Sequence, residues 1–145
     1  MSGTSLMAAD DTGFSDPYVD AFVWCPSKPS CKHMWRSQTK MQTLNPKWDE
    51  SKRVGLLTSS SCLLHLVCFD WDRVGNDDFL GEALIDLSRY ADGQTHSLKV
   101  ELDQYDSTST SDEVKGHLSI EVQVTKRAGA GARTGAGGLP HRRGV

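Results

Sequence analysis

The sequence has few of the residues that build a large core, and it has no long apolar run. Leu, Ile, Val and Phe together make up 30 of the 145 residues, close to the level at which a chain no longer folds. No apolar run approaches the roughly 20 residues that cross a bilayer. The opening MSGTSLMAADD lacks a cationic segment followed by an apolar one, so we expect no signal peptide. We therefore expect one small cytoplasmic domain with an unstructured part.

The common catalytic motifs are also missing. The chain has no Gly-rich phosphate loop, no HExxH and no Ser, His and Asp order that predicts a nucleophilic triad. His33, His96 and His117 fall in predicted turns or strands with no nucleophile near them in the sequence. We expect this chain not to be an enzyme.

The charge is divided unevenly along the chain. Residues 1–125 hold 11 basic and 19 acidic side chains, whereas residues 126–145 hold five basic side chains and no acidic one. Because the body is acidic, we expect no nucleic-acid partner. Residues 126–145 are rich in Gly, Ala and Arg without a core-forming pattern, which predicts a disordered basic tail.

The four cysteines are Cys25, Cys31, Cys62 and Cys68. Because no export signal is present, we expect free thiols in a reducing compartment. A zinc site at Cys25, Cys31 and His33 is the alternative, but it lacks a second pair with metal-ligand spacing.

Apolar and polar residues alternate with period two in several short segments separated by turn residues. This pattern predicts an all-β antiparallel sandwich. In the second segment, inward-facing Leu64, Leu66 and Cys68 would place His65 on the other face. Asp86 is expected to cap one helical turn that ends at Tyr90. The predicted strands are Tyr18–Trp24, Leu63–Phe69, Thr95–Leu102 and His117–Val124.

Two acidic clusters stand out against this background. The stretch FDWDRVGNDD, residues 69–78, holds four carboxylates, and DDTGFSDPYV, residues 10–19, holds three. Calcium takes six to eight oxygen ligands, so both clusters favour a calcium site. The helix-loop-helix calcium motif does not fit, because its fifth and twelfth positions, counted from Asp70, are Val74 and Gly81.

These two stretches, together with TLNPKWDE at residues 43–50 and FLGE at residues 79–82, resemble a C2 domain. The closest likeness is to the calcium-dependent domains of conventional protein kinase C and synaptotagmin. The resemblance covers about residues 6–125 and implies an eight-stranded Greek-key β-sandwich. Only MSGTS precedes Leu6, so the first strand is expected to be missing, with an exposed edge, low stability or self-association as the result.

The resemblance also implies a calcium site formed by two loops at one end of the sandwich. Asp11 and Asp77 lie beside the ligand positions and are expected only to add negative potential. Main-chain oxygens near Ala9 and Trp71 are implied as further ligands. The implied carboxylate ligands are Asp10, Asp16, Asp70, Asp72 and Asp78.

The implied function is calcium-dependent binding to anionic, phosphatidylserine-like phospholipid membranes, with the cytoplasmic protein becoming peripheral to the membrane. Arg73 and Val74 match membrane-contact positions at the loop tip. Arg36 and Lys40 are candidates for a basic patch, which is incomplete because Gln38 stands where lysine is usual. Two alternatives stay open: a calcium-independent scaffolding domain with protein partners, or a non-catalytic fragment of a larger signalling or trafficking enzyme.

Overall fold

The chain folds into strands joined by loops. The computed structural model describes residues 1–9, 12–26, 28–55, 61–105 and 114–125, so the tail predicted at 126–145 lies outside the described residues. One short 3-10 helix, Leu87–Tyr90, is capped by Asp86, whose side chain accepts a hydrogen bond from the Ser88 N–H, as the sequence predicted. The strands are β1 (Ser2–Thr4), β2 (Pro17–Cys25), β3 (Lys28–Arg36), β4 (Leu63–Asp70), β5 (Asp78–Asp86), β6 (Thr95–Glu101) and β7 (His117–Gln123).

The described strands form two antiparallel sheets. One sheet has the order β3-β2-β4-β5 and the other has the order β1-β7-β6. Leu66 from the first sheet and Leu118 from the second lie in one buried cluster between them. The predicted all-β antiparallel sandwich is therefore confirmed.

Period-two alternation decides which side chains enter the core. Leu66 and Cys68 of β4 are buried in the cluster and Leu64 packs against it, while His65 points to the outer face and contacts Glu82. Leu118 and Ile120 of β7 alternate in the same way with exposed Glu121. The inward and outward faces of both strands agree with the sequence pattern.

The first strand is reduced to the three residues of β1, in agreement with the short stretch before Leu6. One edge of β1 pairs with β7, from Ser2 opposite Ser119 to Thr4 opposite His117. The other edge is not left open. Residues 44–48 run along it, with hydrogen bonds from the Gly3 N–H to the Pro46 carbonyl at 2.8 Å and from the Trp48 N–H to the Met1 carbonyl at 3.1 Å. The edge that was expected to be exposed is therefore bonded to a loop of the same chain.

A disulfide joins Cys25 to Cys62, so the prediction of free thiols is wrong for these two residues. The register explains the pairing. Trp24 lies opposite Leu63 in the antiparallel β2–β4 pair, and the next step outward places Cys25 opposite Cys62 with their Cα atoms 4.3 Å apart. Cys68 is a free thiol, and burial raises its pKa to about 12.

No helix in the described ranges has the length and apolar character needed to pass through a bilayer.

Candidate functional site

Three neighbouring strands bring acidic residues to one end of the sandwich. β4 ends at Asp70, which lies opposite Pro17 at the start of β2 and opposite Asp78 at the start of β5. Asp70 continues the inward-facing series of Leu66 and Cys68, and its side chain is fully buried. Directly opposed residues of antiparallel strands point to the same face, so Asp78 lies beside Asp70. Residue 16, next to Pro17, completes the row of Asp16, Asp70 and Asp78.

Asp16 connects the three loops that meet at this end. Its N–H donates to Asp70 Oδ1 at 2.6 Å, and its carbonyl accepts from the Trp71 N–H at 2.9 Å. Its Oδ1 accepts from the N–H of Gln42 in the third segment. One residue therefore holds the loops before β2, after β3 and after β4 together.

The first acidic loop is ordered from inside by Ser15. Its fully buried hydroxyl donates to the Met7 carbonyl at 2.9 Å and accepts from the Ala9 N–H at 3.0 Å. The predicted ligand Asp10 lies outside the described residues, as does Asp11. Ala9, predicted as a main-chain ligand, is the last described residue before them.

The loop between β4 and β5 is held by Asp77. Asp77 Oδ1 accepts from the Asp72 N–H at 2.9 Å, and Asp77 Oδ2 accepts from the Tyr18 hydroxyl at 2.5 Å. These two hydrogen bonds hold the pKa of Asp77 below its ordinary value. The sequence placed Asp77 as a bystander, so its two contacts are a feature that the motif did not reveal.

Exposed apolar side chains surround the acidic row, and we call these residues the apolar rim. Phe14 precedes Asp16 by two residues, Met41 adjoins Gln42, and Trp71 donates its N–H to Asp16. Val74, at the tip of the loop between β4 and β5, is 89% exposed, and Arg73 beside it is also exposed. The rim therefore consists of Phe14, Met41, Trp71 and Val74.

The two residues predicted as a basic patch are placed differently from each other. Arg36 forms two hydrogen bonds of 2.8 Å to the carboxylate of Asp20, and its guanidinium lies 4.7 Å from the centre of the Tyr18 ring. Lys40 lies in the loop after β3, where its N–H donates to the Pro17 carbonyl. Arg36 therefore faces the outer surface of the four-stranded sheet as half of an ion pair.

Asp20 is the buried member of that pair. Burial acts to raise the pKa of Asp20, but hydrogen bonds from Arg36 and His33 outweigh it, so the pKa lies below its ordinary value. His33 Nε2 lies 2.9 Å from Asp20 Oδ1.

Comparison with known protein families decides what kind of domain carries this arrangement. A family model described as "C2 domain" matches residues 1–102. The chain belongs to the C2 domain family. The family that the motifs suggested is therefore confirmed.

This C2 domain is similar to parts of much longer proteins. It is 33% identical over 121 residues to Tricalbin-3 of Saccharomyces cerevisiae, covering 83% of this chain and 7% of that protein. It is 32% identical over 129 residues to Multiple C2 and transmembrane domain-containing protein 1 of Mus musculus, covering 88% of this chain and 12% of that protein. The chain therefore spans about a tenth of the length of these relatives.

The fold of the C2 domain is also that of a solved structure. The first C2 domain of plant Extended Synaptotagmin 1 superposes with a TM-score of 0.67 at 24% identity, covering 83% of this chain and 85% of that one. At this identity the likeness concerns the fold alone.

The donor chemistry of the acidic end suits a hard cation such as calcium. The side-chain oxygens of Asp16, Asp70, Asp72 and Asp78 are carboxylate oxygens, the ligands that calcium prefers. Within the described ranges, however, no three His, Cys, Asp or Glu side chains are grouped closely enough to hold a metal ion. Asp10 lies outside those ranges. The donors therefore fit calcium in type, and the described part of the site is an open row rather than a closed cage.

Proposed function

We propose that this C2 domain binds anionic phospholipid membranes in a calcium-dependent manner and acts as a membrane-targeting module. The observation that carries the proposal is the row of Asp16, Asp70 and Asp78 at three adjacent strand ends, surrounded by the apolar rim. A dense group of carboxylates beside exposed apolar side chains suits a surface that meets cations and lipid together.

The residues proposed to hold calcium are Asp10 and Asp16 before β2, and Asp70, Asp72 and Asp78 around the loop between β4 and β5. Main-chain oxygens near Ala9 and Trp71 are proposed as additional donors. Carboxylates this close in sequence and register repel one another, so the loops favour bound cations. When bound, calcium supplies open coordination positions that phosphate or carboxylate oxygens of phosphatidylserine-like headgroups fill.

The apolar rim adds contacts that do not depend on charge. Burying one large apolar side chain such as Val74 in the interfacial layer contributes about 1.5–3 kcal/mol. Arg73 beside it adds about 1 kcal/mol of attraction to an anionic surface. Val74 and Arg73 are therefore the proposed membrane contacts, together with Phe14, Met41 and Trp71.

Two of the relatives support a role at membranes without defining it. One carries transmembrane domains by its printed name, and both are far longer than this chain. We propose that the domain itself is non-catalytic, resides in the cytoplasm and becomes peripheral to a membrane when calcium binds.

Vesicle sedimentation tests the proposal. The protein is mixed with phosphatidylcholine vesicles with and without phosphatidylserine, in calcium or in chelator. We expect sedimentation only with calcium and phosphatidylserine together. Asp72→Asn removes a proposed ligand and should weaken calcium binding about tenfold or more. Glu121→Gln, which removes one exposed carboxylate from β7, is the charge-matched control and should behave as wild type.

The second candidate is a calcium-independent protein-interaction domain. The observation in its favour is that the described carboxylates do not close around a metal position. Equal vesicle binding in calcium and in chelator, or no binding in either, would favour this candidate and contradict the first.

A further inference from the structure

Asp77 directs both carboxylate oxygens at donors within the protein. The Asp72 N–H binds one oxygen at 2.9 Å and the Tyr18 hydroxyl binds the other at 2.5 Å. Tyr18 belongs to β2, whereas Asp72 and Asp77 are the two ends of the loop between β4 and β5. The carboxylate therefore closes this loop on itself and attaches it to the neighbouring strand.

Tyr18 is a rigid anchor for the loop. Its side chain is 4% exposed, its ring stacks on Phe69 with centroids 5.6 Å apart, and the Arg36 guanidinium covers the ring at 4.7 Å. Arg36 is in turn fixed by its two hydrogen bonds to Asp20. Burial and the hydrogen bond to Asp77 raise the pKa of Tyr18, so the phenol keeps its proton and remains a donor.

The alternation of the strand separates Asp77 from the acidic row. Asp78 begins β5 opposite Asp70, on the inward face, and the preceding residue points the other way. The other way is the outer face of the sheet, where Tyr18 alternates with the core residue Val19. Asp77 therefore lies behind the row, and Asp72 and Asp78 flank it in the sequence.

We propose that Tyr18 and Asp77 are positioning residues for the acidic end: they hold the loop between β4 and β5 in the conformation in which Asp72 and Asp78 face the cation, and Asp77 is not itself a ligand. This rests on the proposed calcium binding. The pair acts by fixing the backbone on both sides of the loop, at Asp72 through its N–H and at Asp78 through its neighbour.

Three substitutions separate positioning from ligation. Tyr18→Phe removes one hydrogen bond and leaves the Asp77 carboxylate intact. Asp77→Ala removes both hydrogen bonds. Asp77→Asn removes the charge but keeps an oxygen for the Asp72 N–H and an amide that donates to the Tyr18 oxygen.

Calorimetric titration with calcium should rank these variants. We expect Tyr18→Phe and Asp77→Ala to weaken calcium binding about threefold to tenfold with unchanged stoichiometry, and Asp77→Asn to stay near wild type. The opposite ranking, with Asp77→Asn as weak as Asp77→Ala and Tyr18→Phe unaffected, would make Asp77 a ligand and overturn the proposal. Thermal unfolding checks that each variant folds, and Tyr18→Phe decides the matter if Asp77→Ala does not.

Amide hydrogen exchange in the calcium-free protein gives a second readout that does not depend on the proposed function. The Asp72 N–H should exchange about fivefold faster in Tyr18→Phe and in Asp77→Ala than in wild type, and Asp77→Asn should restore protection. If wild type binds no calcium, the proposed function fails while this exchange pattern still supports the positioning pair. Unchanged exchange at Asp72 in all three variants would overturn the pair, whatever calcium does.

Discussion

Asp20 and Asp77 show how the role of a carboxylate depends on neighbours that are distant in the sequence. Each accepts hydrogen bonds from another element, Asp20 from β3 and Asp77 from β2. Nothing within two or three residues of either one indicates these partners. The motif could predict the row of Asp16, Asp70 and Asp78 because its spacing is fixed by the strand ends. It could not predict the contacts of Asp20, because these require the register of β2 against β3.

At the residue scale, the ion pair of Asp20 leads to a pH prediction. The pKa of Asp20 is lower in the folded protein than its unfolded value of about 3.9, so its contribution to stability is present above about pH 4 and is lost as the pH falls through the folded pKa. We expect Asp20→Asn to lower the free energy of unfolding at pH 7 by about 1–3 kcal/mol. The difference from wild type should shrink below about pH 4.

Urea unfolding at a series of pH values measures this effect. Glu121→Gln, at an exposed position, serves as the control and should track wild type throughout. A destabilisation by Asp20→Asn that is as large at pH 3 as at pH 7 would show that packing, and not the charge of Asp20, holds Arg36 in place.

At the scale of elements, the strands β2, β4, β6 and β7 were all predicted, because their alternation between apolar and polar residues is regular. The disulfide was not predicted. Cys25 and Cys62 lie 37 residues apart, and only the exact register of β2 against β4 shows that they are opposite each other. A compartment argument from the lack of an export signal says nothing about register, and so it gave the wrong state for these two residues.

β5 contains an irregularity that makes a specific prediction. Its register against β4 shifts next to Gly81, whose φ is 139°, and a Cβ built there would lie 2.8 Å from Leu102 Cβ and 2.9 Å from Val114 Cγ1. We expect Gly81→Ala to lower the free energy of unfolding by about 2–4 kcal/mol, from backbone strain and overpacking together.

Gly93 provides the matched control for thermal unfolding of this variant. It also has a positive φ, 78°, but nothing lies within 4 Å of a built Cβ. Gly93→Ala should therefore cost about 1 kcal/mol, from strain alone. Equal losses in the two variants would mean that the neighbours of Gly81 move aside without cost.

At the scale of the whole molecule, the two ends of the sandwich differ in character. The acidic row and the apolar rim occupy the end where β4 finishes, and the disulfide lies next to the end where β4 starts. A strand of eight residues separates them by about 23 Å. Trp71 lies at the first end and Trp24 at the second, so the two indoles report on opposite ends.

Lipids with brominated acyl chains, which quench tryptophan at short range, test which end meets the membrane. With phosphatidylserine vesicles and calcium, we expect quenching that is lost in Trp71→Phe and retained in Trp24→Phe. Chelator should abolish the quenching in both. Quenching that instead disappears in Trp24→Phe would place the membrane at the disulfide end and contradict the proposed orientation.

The three hydrogen bonds of Asp16 have a further consequence for the loops. Because its N–H, its carbonyl and its side chain each bind a different loop, none of the three can shift without straining the others. The free energy of ordering these loops is therefore already spent when the chain folds. A cation or a headgroup that arrives there meets a surface that is set in advance, and its affinity reflects contacts rather than the arrest of motion.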